Sequence, residues 1–380
     1  MTHYDALVIG AGPAGIAAAI ELSLAGWEVL LIDKAGFPRG KVCGGFVGPE
    51  NKAILAEYGL LDALERRGAK YVTHLQISAA NNISVRVPIY FNGRPDYGLG
   101  ISRSAMDELL LAKALDIGVN FEGGITAQHM VHRGGHSTFT LVGRDGRAPA
   151  EASATHVIYA NGGAVKGKSP ASRLYGASCL FDSIGDSGAD VIMHFLDQGH
   201  AGINRFEDGS VNVCYVIKDA LFRRFKGDFD QVWRHMLGAN RNLYRQMKNA
   251  RPLTRWHGTF VDMDRPLRFF DGHAFYTGDA SAVIHPVAGG GITLALSGGI
   301  LLGSLLGRHH PEDVFRAAEA EAYAKAFRRR FAWPLRASRM IGAAGHTAPV
   351  ANSVIRLLKW REAHLHQLFD IFHQPAVLQA

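Results

Sequence analysis

Cysteine is nearly missing. The 380 residues hold three, Cys43, Cys179 and Cys214, an odd and widely spaced set. Such a set builds neither a disulfide framework nor a zinc cluster, and it fits a reducing compartment, so a cytoplasmic location is expected. The 18 histidines do not replace the missing thiols, since none falls in an H-x-E-x-H pattern or a clustered spacing, and no metal site is expected. No serine sits in a G-x-S-x-G elbow. The first residues carry no basic segment or cleavage site, so no secretory signal is expected. Internal repeats and low-complexity tracts are absent, and the basic residues lack the aromatic interleaving of a nucleic-acid binder. One run, GGGITLALSGGILLGSLLG at 289–307, approaches the length that spans a bilayer. Its glycines favour close packing and no second run exists, so it reads as a buried helix.

What is present describes a globular chain. Hydrophobic residues make up 47% and charged residues 20%, enough apolar surface for a sizeable core. The length allows two modest domains, or one domain inserted into another. The formal charge of +7 is concentrated late, at Arg328, Arg329, Arg330, Arg336 and Arg339, then Arg356, Lys359 and Arg361. These residues read as a solvated helical face. Alternatively they meet a phosphorylated cofactor, a carrier protein or an anionic membrane surface.

Hydrophobic periodicity gives the order of elements. DALVIG (5–10) is a buried strand, the segment after it is helical up to Gly26, and WEVLLID is a second strand ending in Asp33, which together make a βαβ unit. A helical segment follows over 53–67, then an alternating hairpin over 71–91 broken at Asn81-Asn82. Residues 101–118 are helical and HVIYANGG runs from strand into turn. From about residue 180 to 260 the pattern becomes antiparallel. DVIMHFL and GSVNVCYVI are strands joined through Glu207-Asp208-Gly209, and a helical stretch (228–247) interrupts them. HAFYTGDA is a buried strand before the apolar helix, and the tail from Glu312 is helical, punctuated by Pro334 and Pro349. The expected fold is α/β: a Rossmann-like, doubly wound nucleotide domain with an inserted, mostly antiparallel β-sheet substrate domain and C-terminal helices. The nucleotide domain is expected over 1–70, 97–175 and 270–330, the substrate domain over 71–96 and 176–269, and the C-terminal helices over 331–380.

Gly10-Ala11-Gly12-Pro13-Ala14-Gly15 is a GxGxxG run that closes a strand, opens a helix and has Asp33 at the tip of the next strand. That is the context of a dinucleotide fingerprint. Gly10 permits the turn, Gly12 lets backbone approach a pyrophosphate, and Gly15 lets helix pack on strand. The helix start, with Pro13 and Ala14, offers amide donors to phosphate, and Asp33, with Lys34 beside it, faces the ribose. The motif alone does not separate FAD from NAD.

A second block does. YTGDASAVIHPVAGGGITLAL (276–296) combines Gly278-Asp279, Pro286 and Gly289-Gly290-Gly291 before a helix. Here the chain resembles the FAD-dependent oxidoreductases of the glutathione-reductase-type superfamily, in the branch of aromatic hydroxylases, flavin halogenases and geranylgeranyl reductases. The resemblance implies non-covalent FAD, with Asp279 on the ribityl chain and amides near Gly290, Gly291 and Ile292 at the pyrimidine end of the flavin. It implies that Arg103, in ISRSAMDELL, contacts the phosphate–ribose region, with Asp107 structural. The stretch VIYANGGAVKGKSPASRLYG stands where the hydroxylases carry A-D-G and then S-x-x-R. Its Asn161-Gly162 replaces a charged aspartate by an amide. Only one GxGxxG lies in a βαβ context, which implies no separate nicotinamide domain and NAD(P)H as a transient reductant. No W-x-W-x-I-P motif of halogenases occurs.

The segment GFPRGKVCGGF (36–46) resembles the P-R-x-K-x-C-G-G pattern of geranylgeranyl reductases at Pro38, Arg39, Lys41, Cys43, Gly44 and Gly45. Gly44 and Gly45 then let backbone approach a flat ring, with Cys43 a small side chain near it. Arg39 and Lys41 are either phosphate contacts or part of a solvated loop. The aromatic strand of those reductases has His200, Gly202 and Asn204 in its place, within the strand–turn–strand of 198–217. His285, His200, Asn204 and Cys43 are the catalytic candidates, as proton donors or substrate anchors, and each histidine reads equally as a satisfied structural residue. The resemblance implies NAD(P)H-driven monooxygenation of a bulky aromatic or polyketide-like substrate through a flavin C4a-hydroperoxide. A C=C reductase acting on a hydrophobic substrate is the alternative. A third is a flavoprotein that binds a carrier protein, or contacts a membrane peripherally, through its basic C-terminal helices.

Overall fold

The computed structural model describes residues 1–80, 83–144, 146, 148–162, 173–185, 190–313 and 317–360. The stretch 163–172 after Asn161-Gly162, Asn81, Asn82 and Arg361 lie outside the described residues, as does the rest of the tail from 362.

The apolar runs Ala6–Ile9 and Val29–Ile32 need cover on both faces, and they lie at the middle of the first sheet. Thr2–Ile9 lies parallel to both Val29–Asp33 and Ala150–Tyr159, and Asn120–Gly123 extends the sheet beyond Val29–Asp33. On the other side, the first half of Ala150–Tyr159 pairs antiparallel with His136–Gly143, and its last residues pair parallel with Ala274–Tyr276. Helix α1 (Pro13–Leu24) starts with proline at its first position, where a missing N–H costs nothing, and it is buried over most of its length. Helix α2 (Arg103–Asp116) is capped by Ser102, whose Oγ accepts from Ala105 N–H at 3.1 Å. The apolar run becomes helix α3 (Gly291–Leu306), buried and packed along α1. No described helix is long and apolar enough to cross a membrane.

The second sheet has seven strands, in the order His257–Asp262, Arg173–Phe181, Val211–Lys218, Gly199–Arg205, Val191–Leu196, His74–Ser78 and Ser84–Pro88. Every pairing in it is antiparallel except that of Val191–Leu196 with His74–Ser78. Period-two alternation gives the two faces different jobs. Val211, Val213, Tyr215 and Ile217 turn to one side with Ala201 and Ile203, where they pack against Val232, Trp233, Met236 and Leu243 of the helices over 219–247. The residues between them, His200, Gly202, Asn204, Cys214 and Val216, line a cavity facing the first sheet.

Three local expectations differ from the structure. The strand at 191–196 does not join 211–218 through Glu207-Asp208-Gly209; Gly199–Arg205 intervenes, entered through Asp197 and Gln198, the latter at φ 63°. The helical segment over 53–67 is two short helices, Lys52–Glu57 and Leu61–Arg66, separated at Gly59, whose φ of 69° a helix does not accept. Pro334 does not interrupt the tail. Helix α4 (Ala317–Gly345) runs through it because its buried side, with Phe327, Phe331 and Leu335, is held in the main core. Helix α5 (Ala348–Trp360) follows and rests against the hairpin strand Ser84–Pro88.

Candidate functional site

The cavity between the two sheets has a volume of about 310 Å³. It brings together Gly12, Pro13, Ala14, Lys41, Cys43, Gly44, Gly45, Arg103 and Gly162 with Gly278, Asp279, Pro286, Gly289, Gly291 and Ile292. Residues nearly 280 positions apart meet because Gly278 lies against Ala14, where a Cβ would come within 2.7 Å of the alanine methyl.

Glycine serves two separate purposes in these motifs. Gly10 and Gly15 are demanded by the protein itself, since a Cβ on Gly15 would sit 1.9 Å from Gly10 O and Gly10 holds φ 112°. Gly45 is likewise required, with φ 68° and Phe206 Cε1 2.2 Å from its would-be Cβ. Gly44 and Gly291 line the cavity with nothing within 4 Å of a would-be Cβ, and Gly12 has only Arg39 Nη2 at 3.8 Å. None of these three has a positive φ. Their bare backbone is required by neither packing nor conformation, and it leaves room for a flat or phosphorylated group to approach closely.

Charge near this surface is tightly organised. Arg103 is buried and donates from Nε and Nη2 to the two Asp107 oxygens at 2.8 and 2.7 Å. Burial works against the guanidinium, but Asp107 outweighs it and raises the pKa, so the charge is retained. Arg39 reaches the same carboxylate at 3.7 Å and Asp33 at 3.3 Å, and it also donates to Ala11 O at 3.0 Å. Asp33 accepts from the Ala11 and Ala35 amides, each at 2.9 Å. Lys41 and Asp279 form a half-exposed ion pair at 3.6 Å on the cavity wall, while Lys34 is exposed. Asp33, Arg39, Gly10, Gly15, Asn161 and Gly290 stand behind or beside the lining residues rather than in it.

The opposite wall comes from the second sheet and is largely apolar: Leu75, Ile89, Val191, Met193, Val216 and Val261. Two asparagines of that sheet, paired in register, fasten the 43–45 segment. Asn204 Nδ2 donates to Gly44 O and Gly45 O at 3.2 and 3.0 Å, and Asn212 Nδ2 donates to Cys43 O at 3.0 Å. Asn204, expected as a substrate anchor, therefore has its amide hydrogens committed to the loop. Asn212 was not among the expected site residues; its two-residue spacing from Cys214 on one strand face was the available signal. Cys43 lies within hydrogen-bonding reach of Arg103. Desolvation pushes the Cys214 thiol up to about 12, with Cys43 adding to the effect.

His200 lines the cavity, whereas His285 is buried behind Pro286 and does not. His285 Nδ1 accepts from Val287 N–H at 3.2 Å. Burial, then Arg339 and Lys218, hold its pKa down to about 4. A third histidine, His346 at the end of α4, was missed, because it is 146 positions from the residue it meets.

The sequence model of the FAD-binding domain family matches residues 3–181. They make up just under half of the chain. The matched region contains the GxGxxG turn, the 36–46 segment and Arg103, and the open positions at Gly12 and Gly44 fit FAD as the cofactor. The menaquinone reductase of Mycobacterium tuberculosis is 33% identical over 176 residues, which are 45% of this chain and 40% of that protein. The chain thus spans well under half the length of the first curated relatives it matches. A 12-dehydrotetracycline 5-monooxygenase/anhydrotetracycline 6-monooxygenase of Streptomyces rimosus is 23% identical over 334 residues, 80% of this chain and 63% of that one. Among solved structures, the myxobacterial chondrochloren halogenase superposes with a TM-score of 0.80 at 17% identity, over 99% of this chain and 94% of that one, a likeness of fold.

Proposed function

We propose that the chain is an FAD-dependent oxidoreductase that uses NAD(P)H and oxygen to hydroxylate a flat, largely apolar substrate of the aromatic or polyketide-like class. One observation carries this reading: a single cavity has the unshielded glycines 12, 44 and 291 on one side and the apolar face of the second sheet on the other. Gly12, Pro13 and Ala14 would hold the pyrophosphate at the start of α1, where free amides and the helix dipole favour an anion. Asp33 would face the ribose, Arg103 the phosphate–ribose region, Asp279 the ribityl chain, and the backbone at 290–292 the pyrimidine ring. Bound FAD would supply the redox chemistry. Asn204 and Asn212 keep the 43–45 backbone in place as one wall of the site, and the apolar strands exclude water from it.

A second reading, oxygen-independent reduction of a hydrophobic substrate, draws on the 36–46 segment and on the menaquinone reductases that match 45% of the chain or less. The two are separated by incubating FAD-loaded protein with NADPH or NADH and either anhydrotetracycline or menaquinone, under ¹⁸O₂ or anaerobically. Incorporation of ¹⁸O into anhydrotetracycline is the expected result. NAD(P)H consumption with menaquinone that persists without oxygen would favour reduction, and protein that takes up no FAD would end both readings.

A further inference from the structure

The cavity wall is apolar across most of the second sheet, and His200 interrupts it. His200 is 3% exposed and lies on the strand Gly199–Arg205, in register with Phe195 and Val216. Its Nδ1 is 2.7 Å from Nε2 of His346, which is 2% exposed, and the two rings are stacked with centroids 5.0 Å apart. The contact is pinned at the backbone as well, since Gln198 N–H donates to His346 O at 3.0 Å. His285 completes the group, with its ring 6.2 Å from His200 and 5.3 Å from His346. No group of three His, Cys, Asp or Glu among the described residues has the arrangement of a metal site.

A hydrogen bond between two neutral imidazoles fixes what the outer nitrogen can do. If His346 donates from Nε2, His200 accepts at Nδ1 and must carry its hydrogen on Nε2. If His200 donates, its Nε2 is a free acceptor. No described residue hydrogen-bonds that nitrogen. We propose that His200 and His346 form a two-imidazole proton relay, in which His200 Nε2 hydrogen-bonds a hydroxyl or carbonyl group of the substrate and His346 passes the proton on. This rests on the oxidoreductase reading and adds to it a polar recognition element and a route for the proton.

The transfer leaves both imidazoles neutral, with the substrate oxygen as an oxyanion in the cavity and the proton in water. The substrate O–H gives its proton to His200 Nε2, the Nδ1 proton of His200 moves to His346 Nε2, and His346 releases its own Nδ1 proton to water. The corner between α4 and α5 suits that last step, because Ala343 and Thr347 on either side of His346 are exposed. The groups that face the pair keep it neutral. Burial disfavours every imidazolium in the group, helped by His346 and His285 at His200, by Arg339 of α4 and Lys218 of the second sheet at His285, and by His285 and Lys218 at His346. A pair that cannot retain a charge hands the proton on. In this scheme His200 touches the substrate, and His346 is a positioning residue that sets its tautomer.

The test uses FAD-loaded protein and the matched probes 2-naphthol and 2-methoxynaphthalene, alike in shape but differing in the hydroxyl hydrogen. Calorimetry with wild type should give about tenfold tighter binding of 2-naphthol, a factor equivalent to about 1.4 kcal/mol. The preference should vanish in His200→Phe and His346→Leu and persist in His346→Gln, whose amide oxygen can accept from His200 Nδ1–H. In ¹⁵N-histidine NMR spectra, wild-type His200 should show one neutral tautomer at pH 7, and His346→Leu should show a mixture. No preference for 2-naphthol in wild type, or a His200 spectrum unmoved by His346→Leu, would overturn the relay. A protein that passes these tests but consumes no NAD(P)H with any aromatic substrate would overturn the monooxygenase reading alone.

Discussion

Replacing Gly44 by valine tests whether the cavity is a cofactor cradle, because the structure separates glycines the protein needs from glycines a ligand needs. At Gly44 no atom lies within 4 Å of a built Cβ and the backbone is not left-handed, so the fold has no stake in the residue. The unfolding free energy of the FAD-free protein should change by no more than about 0.5 kcal/mol, the usual effect of a substitution that touches nothing. Gly15→Ala is the control. Its methyl would stand 1.9 Å from Gly10 O, about 1.5 Å inside the 3.4 Å where ordinary contact begins, and no flexible side chain can yield. Backbone overlap of that size should cost at least about 3 kcal/mol. In FAD titrations followed by flavin fluorescence, Gly44→Val should weaken binding at least tenfold, about 1.4 kcal/mol. The two variants are thus expected to invert each other: one folds normally and loses the cofactor, the other loses the fold. Wild-type FAD affinity in Gly44→Val, or a large loss of its FAD-free stability, would refute the assignment of this wall.

The buried imidazoles make stability depend on pH. His194, His285 and His346 are held down to about 4, 4 and 3 chiefly by burial, against about 6.5 in the unfolded chain. The unfolded state therefore binds more protons below pH 6.5, so stability is complete above that value and is lost as pH falls toward 4, by up to about 3 kcal/mol per histidine. Urea denaturation at pH 7.5 and 5 should show the decline, and equal midpoints would contradict it. Asp107→Asn removes the carboxylate from a buried guanidinium and should cost about 3–5 kcal/mol in urea denaturation; a loss below 1 would mean that Arg103 finds another partner. Asn212→Ala releases Cys43 O and should cost about 1–2 kcal/mol, with faster hydrogen exchange confined to residues 43–46; unchanged exchange there would show that Asn204 alone holds the loop.

The doubly wound sheet could be read from the sequence because its signals are local. Short apolar strands, the proline at the start of α1 and the alternation over 211–218 each report a contact made within a few residues. The apolar run at 289–307 was legible as a buried helix for the same reason: glycines at 299 and 303 mark a face that meets another backbone. Distant pairings left no such trace. Nothing near His346 announces His200, and nothing near Asn212 announces Cys43, because the partners are 146 and 169 positions away. Pro334 misled for a different reason. A local rule against proline in helices gave way to the tertiary packing of Phe327, Phe331 and Leu335 along one face of α4.

The bare face of α3 also bears on how the protein is made. Gly299 and Gly303 would place a Cβ 2.2 Å from Ala14 O and 2.8 Å from Ala18 O, so α3 closes against α1 with almost no gap. The first helix ends at Leu24, and its partner is complete only at Leu306. At ~5–20 residues per second, a ribosome needs roughly 15–60 s to cover that distance. Throughout that time one face of α1 stays open on the nascent chain, including the turn that would take the pyrophosphate. The region matching the FAD-binding family, residues 3–181, ends well before α3 begins. Cofactor loading is thereby postponed until α3 has been made, with the second sheet already complete.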